Sequence, residues 1–368
     1  MISRRQVVLA GAASVAGYGL LNKMPGGDAA GSPTGNSGGS GRQRQVKVPF
    51  GAAVKSELIE QYPGYRNAVI SLCQQIVPES ALKWNALRPA RGRFTFEYPD
   101  RLIKFAQNNG LNPRGHTLVW YAAMPDWTNE ISSALEAERE LVQHIERVVA
   151  HYKGVIRSWD VVNEPLAESP RHARELRPCI WHQYLGPRYI EIALRTAASV
   201  DPTAQLVINE FNVETAEPAA KAKRAALLTL VRDLLGRGAP IKAVGLQGHL
   251  KGEQEIDQAA VSELVASVRA ANVEVLVTEL DVIDKMLPAD IAQRDSAVAD
   301  RASEFLSAIF AAATPTAVLT WGVSDSFTWV PMYYKRADGL PNRPLPLDAE
   351  YKPKPLLQVI QRFCSRQA

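Results

Sequence analysis

The sequence predicts an α/β protein built as a single (β/α)8 TIM barrel, preceded by a signal segment and a flexible linker. Three observations point there. After residue 46, eight apolar, β-prone runs alternate with eight amphipathic helical stretches. Polar and aromatic residues collect just after the ends of those runs, and the first 45 residues have a composition of their own. Strict β-then-α alternation over about 320 residues fits a closed parallel barrel. An open doubly wound sheet is the structural alternative, but no Gly-x-Gly-x-x-Gly follows the first run.

Residues 1–24 read as a twin-arginine-type signal: Arg4 and Arg5 precede an apolar run that reaches Leu21 and is followed by Lys23. A run of about 15 residues suits a signal h-region and is short for a membrane span. Residues 25–45 are rich in Gly, Ser and Pro and read as a linker. The expectation is an exported bacterial protein, periplasmic or secreted, with no stable membrane span.

Residues 46–368 are assigned to the barrel. The strands are expected at 47–54, 71–77, 112–120, 155–163, 205–212, 241–249, 273–281 and 317–325. The helices are expected at 57–69, 99–110, 134–152, 187–200, 217–237, 258–271, 289–312 and 354–364. Gly110 closes the second helix, and Gly236 and Gly238 close the fifth, where residues without a Cβ are favoured.

Hydrophobic residues make up 46% and charged residues 22%, a globular composition with a large core. The net charge of +4 arises in the first 45 residues; the remainder carries 37 basic and 37 acidic side chains. A near-neutral fold argues against nucleic acid or an anionic membrane as the main partner and suits a neutral substrate. Cys73, Cys179 and Cys364 lie far apart without a Cys-x-x-Cys pattern, so they read as structural thiols. Of six histidines only His116 and His249 fall at strand ends, so neither a metal site nor a cofactor is expected.

In such a barrel, chemistry sits at the C-terminal ends of the strands. The fourth strand delivers Trp159-Asp160-Val161-Val162-Asn163-Glu164-Pro165, an apolar run ending in an amide and a carboxyl. A lone glutamate there reads as a buried ion pair or loop cap; a catalytic reading needs a second carboxylate. Glu279 and Asp281 on the seventh strand supply it: two apart, they share a face. His249, ending the sixth strand, can bridge them through its two ring nitrogens and hold Glu279 ionised. Strands four and seven lie across the barrel from each other, so Glu164 and Glu279 would face one another over a cleft, the arrangement of glycosidic bond cleavage. Trp84, Trp120, Trp127, Trp181, Trp321 and Trp329 fall at strand ends or in the loops beyond, where flat rings can cover the apolar faces of sugars.

The ordered segments Phe50-Gly51-Ala52-Ala53, Lys83-Trp84, Arg114 to Trp120, Trp159 to Glu164, Gln247-Gly248-His249, Thr278 to Asp281, Trp321-Gly322-Val323 and Lys354-Pro355 resemble glycoside hydrolase family 10, the endo-1,4-β-xylanase family, over residues 48–358. The resemblance implies a retaining endo-1,4-β-xylanase working without metal or organic cofactor. Glu164 looks like the acid/base and Glu279 like the nucleophile. Asn163 would bond the sugar 2-hydroxyl, Gln247 would lie near the acid/base, and Asp281 would orient His249. Lys83, His116 and Trp321 would bind the glycone sugar and Glu79 would reach one unit further; Trp84, Trp120 and Trp329 complete the expected substrate-binding set.

Two departures stand out. The family usually carries Asn where this chain has Ser80, and His then Gln after the third-strand tryptophan, where Trp120 is followed by Tyr121, Ala122 and Ala123. The alternative reading is therefore a related β-glycanase with a widened glycone site for decorated xylan or β-glucan. A third is a polysaccharide-binding barrel without catalysis. The expected partner is xylan or a xylo-oligosaccharide, and the expected state a monomer.

Overall fold

Runs of Val, Ile, Leu and Ala that are buried from both sides pair here as a parallel sheet wrapped by helices, the arrangement that such continuous apolar runs favour. The computed structural model describes residues 48–365; the signal and linker expected at 1–24 and 25–45 lie outside the described residues. The strands are β1 (Phe50–Val54), β2 (Gln75–Pro78), β3 (Asn112–Pro113), β4 (Gly115–Val119), β5 (Ser158–Asn163), β6 (Gln205–Glu210), β7 (Ala243–Leu246), β8 (His249–Lys251), β9 (Glu274–Ile283) and β10 (Val318–Thr320). All pairings are parallel, in the order β3-β2-β1-β10-β9-β7-β6-β5-β4, with β8 on β9. The two ends of that path, β3 and β4, are joined through Arg114 alone, so the third barrel strand closes the sheet on itself. The fold is the expected (β/α)8 barrel.

Two cores hold it. Ala53, Val77, Val207, Ala243, Leu276, Ala317 and Leu319 pack together with Trp321 and fill the barrel beneath its mouth. A much larger cluster lies between the strands and the helices, where Leu141, Ile145, Val148 and Val149 of helix Ala134–His151 are fully buried. That helix begins where Ser133 accepts a hydrogen bond from the Glu136 amide at 3.2 Å, satisfying one of the free donors of its first turn. Asp257 and Asp290 cap helices Gln258–Ala270 and Ile291–Ala312 in the same way.

Several boundaries differ from the expectation. The first helix divides at Tyr62 into Ser56–Gln61 and Pro63–Leu72, because Pro63 lacks an amide donor and suits a first helical position. Ser71 and Leu72 finish that second helix, so the second strand begins at Gln75 rather than 71. The sixth run is split into β7 and β8 at Gly248, whose φ of 75° places it in the left-handed region. The eighth strand is confined to Val318–Thr320.

Candidate active site

Three β-bulges set the site. Between β5 and β6, Asp160 and Val162 face Val207 and Ile208, one residue too many on β5. Similar register shifts occur between β4 and β5 above His116 and between β9 and β10 around Thr320. A bulge changes which face the following residues present. Consecutive Thr278 and Glu279 consequently both reach Asn209, which strict alternation would forbid: Thr278 Oγ1 donates to Asn209 Oδ1 at 2.7 Å, and Asn209 Nδ2 donates to Glu279 Oε1 at 2.6 Å. Gly245 makes room for this amide, since a Cβ there would lie 2.3 Å from Asn209 Oδ1.

Amides then link the two sides of the barrel. Asn209 Nδ2 also donates to Asn163 Oδ1 at 2.8 Å, while Asn163 Nδ2 and Gln247 Nε2 each donate to Glu164 Oε1 at 3.2 Å. Glu164 is partly open to the cleft, whereas Glu279 is buried. His249 spans the acidic pair as expected: Nε2 is 3.1 Å from Glu279 Oε2 and Nδ1 is 2.9 Å from Asp281 Oδ1. Trp329 Nε1 donates to the other Asp281 oxygen at 2.7 Å.

This geometry sets the charges. Burial favours neutral His249, but Asp281 and Glu279 outweigh it and hold the imidazole well above its usual pKa, so both nitrogens donate. Burial pushes the Glu279 carboxyl up, yet the hydrogen bond from His249 and the charges of His116 and His249 leave it below the ordinary carboxylate range. An ionised, oriented carboxylate is what a nucleophile needs.

Beside this pair, His116 Nδ1 lies 2.9 Å from Asp160 Oδ2 and 4.0 Å from Glu279 Oε1. Asp160 is clamped by both arms of the Arg114 guanidinium, one at 2.6 Å. Although burial favours its acid form, Arg114 and His116 hold Asp160 below the ordinary range. Lys83 Nζ sits 4.6 Å from the Trp120 ring and 5.8 Å from that of Trp321. Burial lowers its pKa, opposed by Glu79, Glu279 and Glu164. Glu79 pairs with Lys55 at 3.1 Å.

The tryptophans divide into two groups. Trp120, Trp321 and Trp329 border the mouth with Lys83, His116 and His249. Trp84 does not: it is buried, its Nε1 donates to the Leu118 carbonyl at 2.6 Å, and His144 stacks on its ring at 3.7 Å. Trp127 and Trp181 pack on it at 6.1 and 4.9 Å, so these three build the core behind the third and fourth strands instead of a sugar platform. Their expected place among the sugar-binding rings is corrected accordingly.

Sequence reasoning counts Asn209 and Glu210 among the polar residues that end the fifth strand at the mouth, but gives no specific role to them, to Asp160 or to Lys223. Inward-facing polar residues on otherwise apolar strands were the available signal. The described residues contain no group of three or more His, Cys, Asp or Glu placed to hold a metal ion.

Residues 42–363 match the model of Glycosyl hydrolase family 10. The chain belongs to this family. It is 32% identical over 320 residues to Endo-1,4-beta-xylanase 3 of Hypocrea jecorina, covering 86% of this chain and 83% of that protein. It is 32% identical over 309 residues to Beta-1,4-xylanase of Dictyoglomus thermophilum, covering 81% and 84%. Among family 10 structures, xylanase 10B from Thermotoga maritima superposes with a TM-score of 0.79 at 26% identity, covering 87% of this chain and 95% of the other. Xylanase 10B from Thermotoga petrophila in complex with xylobiose has the same TM-score and identity, covering 87% and 94%.

Proposed function

We propose that this protein is a retaining endo-1,4-β-xylanase in which Glu164 is the acid/base and Glu279 the nucleophile. The observation that carries the reading is the amide bridge between an ionised, His249-oriented Glu279 and a cleft-exposed Glu164. In the first step a Glu279 oxygen bonds to the anomeric carbon as the glycosidic bond breaks, and Glu164 passes its proton to the leaving oxygen. In the second, the Glu164 carboxylate takes a proton from water, whose oxygen displaces Glu279 from the same carbon. Two displacements retain the anomeric configuration. Asn163 is assigned to the 2-hydroxyl beside the reacting carbon, where a hydrogen bond strengthens as positive charge develops. Lys83, His116, Trp120, Trp321 and Trp329 are assigned to the sugar-binding walls, and Glu79 to the next unit.

The relatives named for xylanase activity and the xylobiose-bound neighbour support xylan as the substrate. NMR of the anomeric proton in the first product tests the stereochemistry: β-product accumulating before mutarotation is expected, and initial α-product refutes it. Glu164→Ala and Glu279→Ala should each abolish release of reducing sugar from xylan.

One observation favours a second reading. Ser80 is exposed and Ala123 is half-buried, so two short side chains stand where the family usually carries amides, and Glu79 is held by Lys55. A glycone site that accepts a substituted xylose or a glucose unit follows. Product sizing after incubation with plain xylan, decorated xylan and β-glucan separates the two. Export through the N-terminal twin-arginine sequence is part of the same proposal, since a polymeric substrate lies outside the cell; fractionation of expressing cells tests it.

A further inference from the structure

Glu164 is held in an unusual backbone conformation. Its φ is 55°, in the left-handed region that a branched or long L side chain rarely adopts without external support. Four hydrogen bonds supply support. The Glu164 amide donates to the Asn209 carbonyl at 2.8 Å, continuing the β5–β6 ladder. Arg177 Nε donates to the Glu164 carbonyl at 3.3 Å, and the Arg177 amide donates to the Pro165 carbonyl at 2.7 Å. Two residues on, the Leu166 amide donates to Glu210 Oε2 at 3.1 Å.

The two anchors are themselves constrained. The Arg177 guanidinium lies over Tyr121, 4.4 Å from the ring centroid, with Phe211 at 5.6 Å. Glu210 and Lys223 are both fully buried, and Lys223 Nζ is 2.8 Å from Glu210 Oε1 and 3.5 Å from the centre of the Phe211 ring. The same Glu210 oxygen accepts from the Phe211 amide at 3.0 Å. A buried ion pair is a poor source of net stability compared with apolar packing, so its place beside the turn points to a positional role. Neither Glu210 nor Lys223 opens to the cleft.

We propose that Arg177 and the Glu210–Lys223 pair are positioning residues that hold the left-handed turn at Glu164 and so aim its carboxyl at the glycosidic oxygen. This rests on Glu164 being the acid/base. Protonation of the leaving group matters for a sugar alcohol and hardly at all for a dinitrophenolate, which departs unaided. A misaimed acid therefore slows substrates in proportion to the basicity of their leaving group, whereas general damage to the barrel slows all of them alike.

The experiment compares kcat/KM on xylan and on a 2,4-dinitrophenyl β-xylobioside for the wild type, Glu164→Ala, Arg177→Met, Lys223→Met and the double variant Glu210→Gln/Lys223→Met, with thermal unfolding followed alongside. Arg177→Met and Lys223→Met are expected to lose about tenfold or more on xylan while staying within about threefold on the activated glycoside. The double variant keeps an oxygen for the Leu166 amide without an unpaired buried charge, and should recover most of the loss seen in Lys223→Met. Equal losses on both substrates, or no loss on xylan, overturn the proposal. If Lys223→Met does not fold, Arg177→Met, which buries no ion pair, decides alone. A Glu164→Ala enzyme insensitive to leaving group removes the acid/base reading and the proposal with it; a sensitive Glu164→Ala beside an insensitive Arg177→Met removes only the proposal.

Discussion

His249 joins Glu279 to Asp281, with Nε2 3.1 Å from one carboxylate and Nδ1 2.9 Å from the other. The cationic imidazole between them helps hold the Glu279 carboxyl below the ordinary carboxylate range. Replacing His249 by Asn removes the charge that helps hold the Glu279 pKa down, so this pKa rises toward the value that burial alone favours. The acidic limb of the kcat/KM profile should move up by about one pH unit or more, since a single adjacent charge has that effect. A profile whose acidic limb stays in place would show that His249 does not control the ionisation of Glu279.

Arg114 and Asp160 are both buried, with the guanidinium clamping the carboxylate and His116 bonded to the same acid. Asp160→Ala leaves Arg114 charged and alone in the barrel wall, which costs about 3–5 kcal/mol. Urea denaturation at neutral pH should register a loss of that size. The folded Asp160 pKa lies below the ordinary value, so its contribution is fully present above about pH 4 and is lost as the pH falls through the folded pKa. Wild type and variant should therefore converge in strong acid.

His144 lies stacked on Trp84 with both ring nitrogens buried and without hydrogen-bond partners. Burial, with the charge of Arg88, holds its pKa well below the usual histidine range. The folded protein keeps this imidazole neutral while the unfolded chain binds a proton below about pH 6.5. Stability consequently drops as the pH falls below that point, by up to about 1.4 kcal/mol per unit from this group. Asp325 acts in the opposite direction: burial raises its carboxyl to about 6, so its folded form gains a proton first. The two are separated by measuring His144→Phe against wild type at pH 7.5 and pH 5. The variant should lose less stability on acidification, and an equal loss would exclude His144 as a source.

Ser80→Asn tests the proposed role of the short side chains directly, because Ser80 is exposed and can be enlarged without disturbing the core. Ala123 is less suitable: its φ is 52°, and its carbonyl accepts from the Asn85 amide at 3.0 Å. Under the widened-site reading, Ser80→Asn should lower KM for unsubstituted xylo-oligosaccharides severalfold and reduce the rate on decorated ones. An unchanged ratio between the two substrate classes argues that Ser80 does not set specificity.

The alternation of strands and helices was legible because parallel strands buried on both faces leave long apolar runs, and helices carry their own period. The boundaries were less so. Ser71 and Leu72 are as compatible with a strand as with the helix end they form, and only the pairing of Gln75 with Gly51 and Asn112 shows where β2 begins. The acidic pair Glu164 and Glu279 could be picked out because each follows an apolar run, although Glu279 lies within β9 and not at its end. Trp84 could not be assigned, since nothing local reveals whether an indole beyond a strand turns outward or, as here, toward Leu118 and His144. The role of Asn209, though not its place at the mouth, escaped for a different reason. Its contact with both Thr278 and Glu279 depends on the bulge in β9, and one extra residue in a ladder leaves no mark on the sequence.

In the proposed mechanism Glu279 forms a covalent bond to the sugar. Incubation with a 2,4-dinitrophenyl 2-deoxy-2-fluoro-β-xylobioside should slow the second step, and mass spectrometry of the denatured protein followed by peptide mapping reads the product. One fluoroxylobiosyl group on the peptide containing Glu279 is the predicted result. Turnover without any adduct, or an adduct on a different carboxylate, would show that Glu279 is not the nucleophile.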